Sequence, residues 1–539
     1  MNKTEVEVDC IIIVEGKRLL GLLDGLPLAI AQAGAYLQES GVGVGIYLKF
    51  YEQQWKELMA SKDQNDAPLQ DYPNRSVWTT WTISYNAIRE KDQNAANLLL
   101  LWAFLDNRDL WHGLLVAACR DSTIVARRLS EWIGDIASSE LHFIKAIQLL
   151  RNYSLIENVE DQASYATHPV VHRWAYHFQG EVSREELAQL AVVVVGFAIP
   201  NRSRRDYSTM QRRLLLHAEV CSRWVLSGEM ERKAISRRTD EVDFDETEKK
   251  EIVLHAIHLL GYLYADQAKL AEAEKMYERA LRGREEVLGI RHALTLATVN
   301  NLGALYADKG KVAEAENMYE RALRGCEDAL GARHTLTLAV VHNLGLLYAL
   351  HQAKLAEAEK MYERALRGCE EVLGVRHTST LQTVHSLGTL YAKQGKLTEA
   401  EKMYERVLKG HEDAIGLENM GTYRPALYTI WYRGNLYVKQ GELTQAREAY
   451  SRALTGFQTL LGPSSDECQE AMAELESLDL LLGKIRCVMN LLTRALTSRA
   501  DTSDSGGSPV GVEVPKSAHV EITKKPRFSA RRLVRTIFR

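Results

Sequence analysis

Closely spaced cysteines are missing from this 539-residue chain. Zinc sites are recognised by cysteine pairs a few residues apart, and disulfide frameworks by many cysteines in a short secreted chain. The seven cysteines here are scattered along the chain: Cys10, Cys119, Cys221, Cys326, Cys369, Cys468 and Cys487. The pattern predicts no metal site and no disulfide framework, and it favours a reducing, cytoplasmic location.

Long apolar runs and a strong net charge are missing too. The longest apolar run, at residues 190–200, is well short of the roughly 20 residues that a membrane-spanning helix needs. It predicts a buried helix or strand, and we expect no transmembrane segment. The net charge of −4 provides no basic footprint, so we expect no specific nucleic-acid partner.

Catalytic and phosphate-binding motifs are missing as well. Neither Gly-x-Ser-x-Gly nor His-Glu-x-x-His occurs. A phosphate-binding loop needs Gly-x-x-x-x-Gly-Lys-Ser/Thr, because backbone amides wrap the phosphates and the hydroxyl reaches magnesium. Before Gly16-Lys17, Ile11 stands in place of the first glycine, and Arg18 follows in place of the hydroxyl residue. We therefore predict no enzyme activity, no bound cofactor, and a short buried strand and turn at residues 1–20.

What the chain has in quantity is helix-forming sequence. Only 10 residues are proline, whereas leucine, alanine and glutamate are abundant. This composition favours a predominantly all-α fold, and the length suggests about three domains.

One sequence motif occurs five times between Leu260 and Leu454. Its first form is LGYLYADQAKLAEAEKMYERAL, and its last and weakest form is GNLYVKQGELTQAREAYSRAL. The first four opening glycines are 42, 42 and 43 residues apart, and the five are Gly261, Gly303, Gly345, Gly388 and Gly434. Apolar residues at i, i+3, i+4 and i+7 predict two amphipathic helices per copy. The period predicts an α-solenoid of stacked helix pairs over residues 246–464.

These copies resemble tetratricopeptide repeats. The family's Leu-Gly-x-x-Tyr, Ala, Tyr and Ala positions stand here as Leu260, Gly261, Tyr264, Ala273, Tyr277 and Ala280. A joint of the form Leu-Gly-x-x-His-x-x-Thr is similar to that of kinesin light chains. It occurs three times, with its histidine and threonine at His292 and Thr295, His334 and Thr337, and His377 and Thr380. The fourth joint, at Ile415-Gly416, departs from it with an insertion that holds Pro425, and we expect a bend or distorted packing there.

Residues 21–71 carry the string Gly25-Leu26-Pro27-Leu28-Ala29-Ile30. Pro27 suits the first turn of a helix, where its missing N–H costs no hydrogen bond. The string resembles the Gly-Leu-Pro-Leu motif of NB-ARC proteins, which are nucleotide-dependent signalling switches. The residues after it are similar to fungal members of that group that end in such repeats. The resemblance implies an ARC-like helical segment in which Pro27 would contact the adenine of ADP or ATP.

The sequence of residues 72–180 predicts a helical domain that contains a winged-helix-like unit. A helix is followed by extended segments at residues 154–157 and 164–168, and the helix carries too few basic residues for DNA contact. His168 matches the histidine of the NB-ARC Met-His-Asp signature, which implies a contact with the nucleotide β-phosphate. The alternative is a histidine at the end of a strand, held by packing.

The remaining segments are assigned from composition. Residues 181–245 predict a charged helical connector, and residues 465–497 predict one or two helices that cap the solenoid. Residues 498–539 have the composition of disorder. Their basic end, KKPRFSARRLVRTIFR, predicts contact with an anionic surface or a partner, a nuclear address, or a plain tail.

Binding rather than catalysis is the predicted function. In tetratricopeptide arrays the first helix of each pair lines a concave groove. By that resemblance, the residues that would face a protein or peptide ligand are His258, Tyr262, Asp266, Asn300, Asp308, His342, His385 and Lys393. Histidine and asparagine can hydrogen-bond a peptide backbone. The alternative is that these are ordinary surface polar residues.

Three functions stay open from the sequence. The first is the sensor and scaffold part of an NB-ARC/tetratricopeptide signalling protein, without its nucleotide-binding domain. The second is a complete ADP- or ATP-dependent switch whose phosphate-binding part is absent from this chain. The third is a kinesin-light-chain-like cargo adaptor, which would need a coiled coil before the repeats that residues 21–245 do not show. Self-association of the array is left open.

Overall fold

The computed structural model describes residues 3–23, 26–60, 75–159, 164–178, 183–200, 207–228, 244–350 and 354–501. The polar stretch at residues 61–75, whose two prolines predict a linker, lies almost wholly outside these residues, as do residues 502–539 of the predicted tail. The described chain is almost entirely α-helical, so the predicted all-α class is confirmed. It divides into two compact units, residues 1–287 and 288–539.

Unit 1 begins with a block of helices. They are α1 (Lys3–Leu22), α2 (Pro27–Ser40), α3 (Val44–Ala60), α4 (Arg75–Lys91), α5 (Gln93–Trp102), α6 (His112–Cys119), α7 (Thr123–Ile133) and α8 (Glu140–Asn152). Helices α5, α7 and α8 begin where the sequence supplies a capping oxygen. Asp92, Ser122 and Ser139 each accept a backbone N–H bond there, which satisfies one of the free donors at a helix start.

Helix α1 occupies the region for which a strand was predicted, so that prediction was wrong. The β-branched run before Glu15 favours a strand by propensity. However, Leu19 and Leu23, one helical turn apart, are both buried, and α1 packs against α3. The hydroxyl of Tyr51 donates to the carbonyl of Leu22 at 3.3 Å. Burial of a helical face therefore outweighs the local preference.

The predicted order of helix and hairpin is confirmed after α8. Strands β1 (Glu157–Val159) and β2 (Ser164–Ala166) pair antiparallel, with Asn158 opposite Tyr165. Leu110 pairs with Tyr165 through backbone bonds of 2.9 and 3.0 Å, which adds a third extended segment. Helix α9 (Pro169–His177) follows, and its buried Trp174 lies within 6.3 Å of the ring of Trp78.

Helices α10 (Arg184–Phe197) and α11 (Tyr207–Ser227) lie between this block and the first repeat. Residues 191–196 of α10 are all buried. A Cβ on Gly196 would lie 2.7 Å from the Cα of Ala256, so α10 meets the first repeat at close range. Helix α10 is therefore part of the core, as the apolar run at residues 190–200 predicts, although residues 181–245 as a whole were predicted to be a charged helical connector.

The repeats are helix pairs, as predicted. Repeat 1 belongs to unit 1 and consists of α12 (Phe244–Asp266) and α13 (Leu270–Val287). Repeats 2–5 and one more helix form unit 2: α14 (Ala293–Asp308), α15 (Val312–Leu330), α16 (Thr335–Leu350), α17 (Leu355–Leu373), α18 (Thr378–Gln394), α19 (Leu397–Ile415), α20 (Arg424–Gln440), α21 (Leu443–Leu461) and α22 (Asp466–Asp501). No helix among the described residues is long and apolar enough to cross a membrane.

A glycine and a tyrosine hold each pair together. An added Cβ on Gly303 would lie 2.8 Å from a ring carbon of Tyr319, so only glycine lets the ring seat against the first helix. The same contact recurs between Gly261 and Tyr277, Gly345 and Tyr362, Gly388 and Tyr404, and Gly434 and Tyr450. The glycine and the tyrosine of the repeated motif therefore determine how the two helices of each pair pack.

The Leu-Gly-x-x-His-x-x-Thr joint is a capped turn. In the joint before α16, Gly331 has φ of 91°, a backbone conformation that favours glycine. The Nδ1 of His334 accepts the N–H of Leu336 at 3.2 Å and caps the helix. The hydroxyl of Thr337 donates to the carbonyl of Gly331 at 2.8 Å. The joints before α14 and α18 repeat these bonds, so their histidines and threonines have a structural role.

The fourth joint differs, as the insertion predicts. Gly416 keeps a φ of 82°, but residues Leu417–Thr422 form a 3-10 helix, and Tyr423 gives α20 no side-chain cap.

The fifth joint restores the pattern with other residues. The hydroxyl of Ser465 accepts the N–H of Cys468 at 3.3 Å, and the thiol of Cys468 donates to the carbonyl of Gly462 at 3.2 Å. Cys468 thus occupies the threonine position, and α22 corresponds to the first helix of a further repeat. Glu476 stands 42 residues after Gly434, in place of the tyrosine-receiving glycine. A second helix cannot pack against that position as in repeats 1–5, so α22 closes this end of the array as a single capping helix.

Candidate polypeptide-binding face of repeats 2–5

The first helices of repeats 2–5 bond directly to one another. The side-chain amide of Asn343 donates to Asn300 Oδ1 at 2.9 Å. The ammonium groups of Lys393 and Lys439 donate to the carbonyls of Ala349 and Ala392, at 3.2 and 2.9 Å. The inner face is the stripe of half-buried and exposed residues along this side of the first helices. It consists of Asn301, Asp308, Asn343, Leu346, Leu350, Thr389, Lys393, Tyr432, Asn435 and Lys439.

Two of the predicted ligand contacts, His342 and His385, lie inside the array. Their exposed fractions are 5% and 3%. The Nδ1 of His342 lies 3.2 Å from Thr383 Oγ1, and that of His385 lies 3.2 Å from Thr429 Oγ1. These bonds join each repeat to the next. Because the side chains are buried, they are placed to hold the stack and not to meet a ligand.

The two buried histidines have a defined protonation state. Each threonine hydroxyl donates its own hydrogen to a backbone carbonyl, at Ser379 and Pro425, so each imidazole must donate from Nδ1. Burial lowers the pKa of His342 to about 3, helped by the nearby His385. Burial also lowers the pKa of His385 to about 3, helped by His411. Both rings are therefore neutral at pH 7.

Asn300 is nearly buried and begins a row of amides. It is 8% exposed, and besides accepting from Asn343 its own Nδ2 donates to Asn301 Oδ1 at 3.4 Å. Asn301 and Asn343 are half-buried on the inner face. Asn300 itself is therefore a support, while its two neighbours are the amides that a ligand can reach.

In repeat 1 the predicted contacts are taken by helix α11. The hydroxyl of Tyr207 donates to Asp266 Oδ2 at 2.6 Å and lies 3.1 Å from the hydroxyl of Tyr262. His258 packs against Tyr277, with ring centroids 5.2 Å apart. These three residues therefore make their contacts within unit 1, with α11 and with the second helix of repeat 1.

Charge changes along one position of the inner face. That position holds Asp308 in repeat 2, Leu350 in repeat 3, Lys393 in repeat 4 and Lys439 in repeat 5. Both lysines are exposed. Desolvation by the surrounding helices lowers the pKa of each, and the neighbouring Lys439 lowers that of Lys393 further. The face is acidic at repeat 2 and basic at repeats 4 and 5. Of the eight residues predicted from the sequence, Asp308 and Lys393 lie on this face. Lys439, Asn343 and Asn435 were missed, although they repeat the same helical spacing.

The outer surface is occupied by ion pairs between repeats. Lys354 bonds to Glu316 at 2.6 Å, and Lys396 bonds to Glu359 at 3.1 Å, in equivalent positions one repeat apart. Arg364 with Glu327 and Arg406 with Glu370 form a second equivalent row. These glutamates of the second helices therefore pair with basic residues of the next repeat. No cluster suited to a metal ion occurs within the described residues.

The two predicted nucleotide contacts, Pro27 and His168, are both exposed and both lie at helix starts. Pro27 is the first residue of α2. The Nδ1 of His168 accepts the N–H of Val170 at 3.3 Å and caps α9. These roles match the structural alternatives drawn from the sequence, and neither position needs a nucleotide to account for it.

Comparison with known proteins bears on the repeats and on the chain as a whole. The tetratricopeptide repeat family model matches residues 253–328, 295–366 and 336–413. A nucleotide-binding leucine-rich repeat (NLR)-like protein of Hyaloscypha variabilis is 28% identical over 297 residues. That match covers 53% of this chain and 26% of the relative, so the chain spans about a quarter of the relative's length.

Solved structures show weaker likeness. A STAND protein with a tetratricopeptide repeat sensor from Pyrococcus horikoshii has a TM-score of 0.37 at 13% identity, covering 84% of this chain and 62% of that one. A putative kinesin light chain from Podospora anserina has a TM-score of 0.33 at 22% identity, and the match covers 38% of this chain and 95% of that one. Scores this low establish neither a shared arrangement nor a shared function. The family match, together with the helix pairs and their glycine–tyrosine contacts, shows that residues 253–413 are tetratricopeptide repeats.

Proposed function

We propose that this chain is a non-enzymatic scaffold whose inner face on repeats 2–5 binds an extended or helical polypeptide segment. The observation that carries the proposal is the contrast between repeats. In repeat 1 the equivalent positions Tyr262 and Asp266 are occupied by Tyr207, whereas Lys393 and Lys439 are exposed. A face of four repeats is also long enough to build the roughly 1,200–2,000 Å² of a specific interface.

The amides and hydroxyls of the face suit a polypeptide backbone. Asn301 and Asn343 are held in one row by Asn300. Thr389 is placed by its bond of 3.1 Å to Tyr404, and Asn435 by its bond to Tyr450. Groups fixed in this way can bond a main chain without selecting its side chains, and they lose little freedom on binding.

Selectivity would come from charge. Each lysine ammonium has three N–H donors, of which a helix carbonyl takes one. The remaining donors of Lys393 and Lys439 favour carboxylates, whereas Asp308 at the other end disfavours them. The preferred ligand is therefore a segment with acidic residues toward repeats 4 and 5.

A displayed peptide library tests the proposal. The full chain selects binders from random peptides, and the best is labelled for fluorescence anisotropy. We expect acidic residues to be enriched, and Lys393→Gln with Lys439→Gln to raise Kd about tenfold or more. The matched control is Lys360→Gln with Lys402→Gln, exposed lysines of the second helices of repeats 3 and 4. Equal loss in both variants, or no loss in either, would contradict the assignment.

We also propose that this scaffold is the sensor part of a nucleotide-dependent signalling protein. The NLR-like relative supports this, because it contains about four times the matched length. The alternative is a complete switch that itself binds ADP or ATP. Titration of labelled ADP into the full chain separates the two. We expect no binding in the micromolar range, and binding that is lost in Pro27→Ala or His168→Ala would favour the switch.

A kinesin-light-chain-like cargo adaptor has less support. Such an adaptor needs a long coiled coil before its repeats. The described residues before repeat 1 form the packed helices α1–α11 instead.

A further inference from the structure

Helix α22 extends far beyond the helix that it packs against. It has 36 residues, whereas its neighbour α21 has 19. At about 1.5 Å per residue these are about 54 Å and about 29 Å long. Leu478 is buried in the core shared with α21, but residues 483–487 are all exposed. The described side chains of α22 beyond Leu482 are therefore open to solvent.

The extension carries a heptad pattern. From Leu478 onward, apolar residues alternate at spacings of four and three: Leu478, Leu482, Ile485, Met489, Leu492 and Leu496. These are the a and d positions of a coiled coil. The g positions hold Leu481, Val488 and Ala495, so they widen the same stripe. The remaining positions are mostly polar or small, with Leu480 and Leu491 as the exceptions.

We infer that this half of α22 pairs with the same helix of a second copy of this chain. A heptad seam is complementary to itself, because the knobs of one helix fit the holes of an identical one. No a, d or g position between residues 478 and 496 holds a charge, so two copies bring no like charges into the seam. Ile485, at a d position, is 42% exposed, which leaves apolar surface of the seam to cover.

The helical state of the extension supports the same conclusion. An isolated helix of about 19 residues is only marginally stable in water, because most helix stability in proteins comes from packing an apolar face. A further repeat does not supply that packing, since Glu476 occupies the position where a second helix would seat its tyrosine. At Leu478 and Leu482 the stripe packs against the core shared with α21, and a second copy covers the part of the stripe from Ile485 onward. This pairing does not depend on the ligand proposed for the inner face.

Sedimentation equilibrium of the full chain tests the pairing. The monomer is 60.8 kDa, and we expect twice this mass across the micromolar range. In the seam variant Ile485→Glu with Met489→Glu, the dissociation constant should rise at least about a hundredfold, because each change places a charge in an apolar seam. The control Cys487→Glu with Asn490→Glu adds the same charges at positions b and f of the same helix and should remain dimeric.

The result can fail in distinguishable ways. A monomeric wild-type chain at every concentration would overturn the inference and indicate that α22 is covered within one chain or stays in solvent. Equal dissociation of the seam and control variants would overturn it too, since the seam positions would then be no different from the others. Thermal unfolding guards against a folding defect, and the control variant should match the wild type. The seam variant should still unfold cooperatively, but its melting temperature should no longer depend on protein concentration, since only a dimer is stabilised by mass action.

Discussion

Repeats 1 and 3 contain the same 15 residues, 269–283 and 354–368, in different surroundings. In both, the tyrosine of the second helix seats on the glycine of the first. In repeat 1, α11 bonds to the positions that correspond to the inner face, and Arg284, 1% exposed, bonds to His255. In repeat 3, Asn343 and Leu346 are partly open to solvent, and Cys369 replaces Arg284. The 15 shared residues specify the helix pair. The residues outside them determine whether the inner side of the first helix is buried in the core or is open to a ligand.

Removing the shared tyrosine should have the largest effect. Tyr277→Ala and Tyr362→Ala each delete a fully buried ring, and we expect each to cost about 3–5 kcal/mol of unfolding free energy. Chemical denaturation followed by circular dichroism measures both. If one of the two variants were as stable as wild type, the glycine–tyrosine contact would not be a common requirement.

Acid should weaken repeats 3 and 4 through their buried histidines His342 and His385. An unfolded histidine takes up a proton near its usual pKa of 6.5, whereas His342 and His385 do so only near 3 when folded. Their contribution to the free energy of unfolding is complete above pH 6.5. It is lost as the pH falls toward 3, because the unfolded state then binds more protons than the folded state.

Thermal unfolding at pH 7.5 and pH 5 measures this loss, which should reach about 2 kcal/mol per histidine at pH 5. The double variant His342→Asn with His385→Asn copies Asn300 of repeat 2 and should show a smaller pH dependence. An undiminished pH dependence in that variant would assign it to other groups.

Opening the covered face of repeat 1 should have an intermediate effect. Tyr207→Phe removes the hydroxyl that bonds to Asp266 and approaches Tyr262, and we expect a cost of about 1.5–3 kcal/mol, as for a hydrogen bond to a charged group. Hydrogen exchange of α12 should accelerate while that of α16 stays unchanged. Unchanged exchange in α12 would mean that α11 does not hold this face.

The joints should show the smallest effects. Thr337→Val removes one bond to the Gly331 carbonyl and should cost about 1 kcal/mol. Cys468→Thr places the usual residue in the fifth joint and should be neutral or slightly stabilising. Melting temperatures of the two variants check this order, and a strongly destabilising Cys468→Thr would show that the fifth joint is not equivalent to the others.

The periodic features could be predicted from the sequence, whereas the burial of particular side chains by neighbouring helices could not. The helix pairs, the irregular fourth joint and the capping role of residues after 465 follow from spacing. Helix α1 was missed because burial of Leu19 and Leu23 outweighs a β-branched run. The burial of His342 and His385 was missed because one sequence does not show which side of a first helix faces the next repeat. The fifth joint was detectable, since Gly462, Ser465 and Cys468 keep the spacing of Gly289, His292 and Thr295.

The central claim is that repeats 2–5 hold the ligand and repeat 1 does not. Hydrogen exchange of the full chain with and without the selected acidic peptide tests it most directly. We expect slower exchange in α14, α16, α18 and α20, and unchanged exchange in α12. Slower exchange in α12, or only in the outer helices α15, α17 and α19, would contradict the claim.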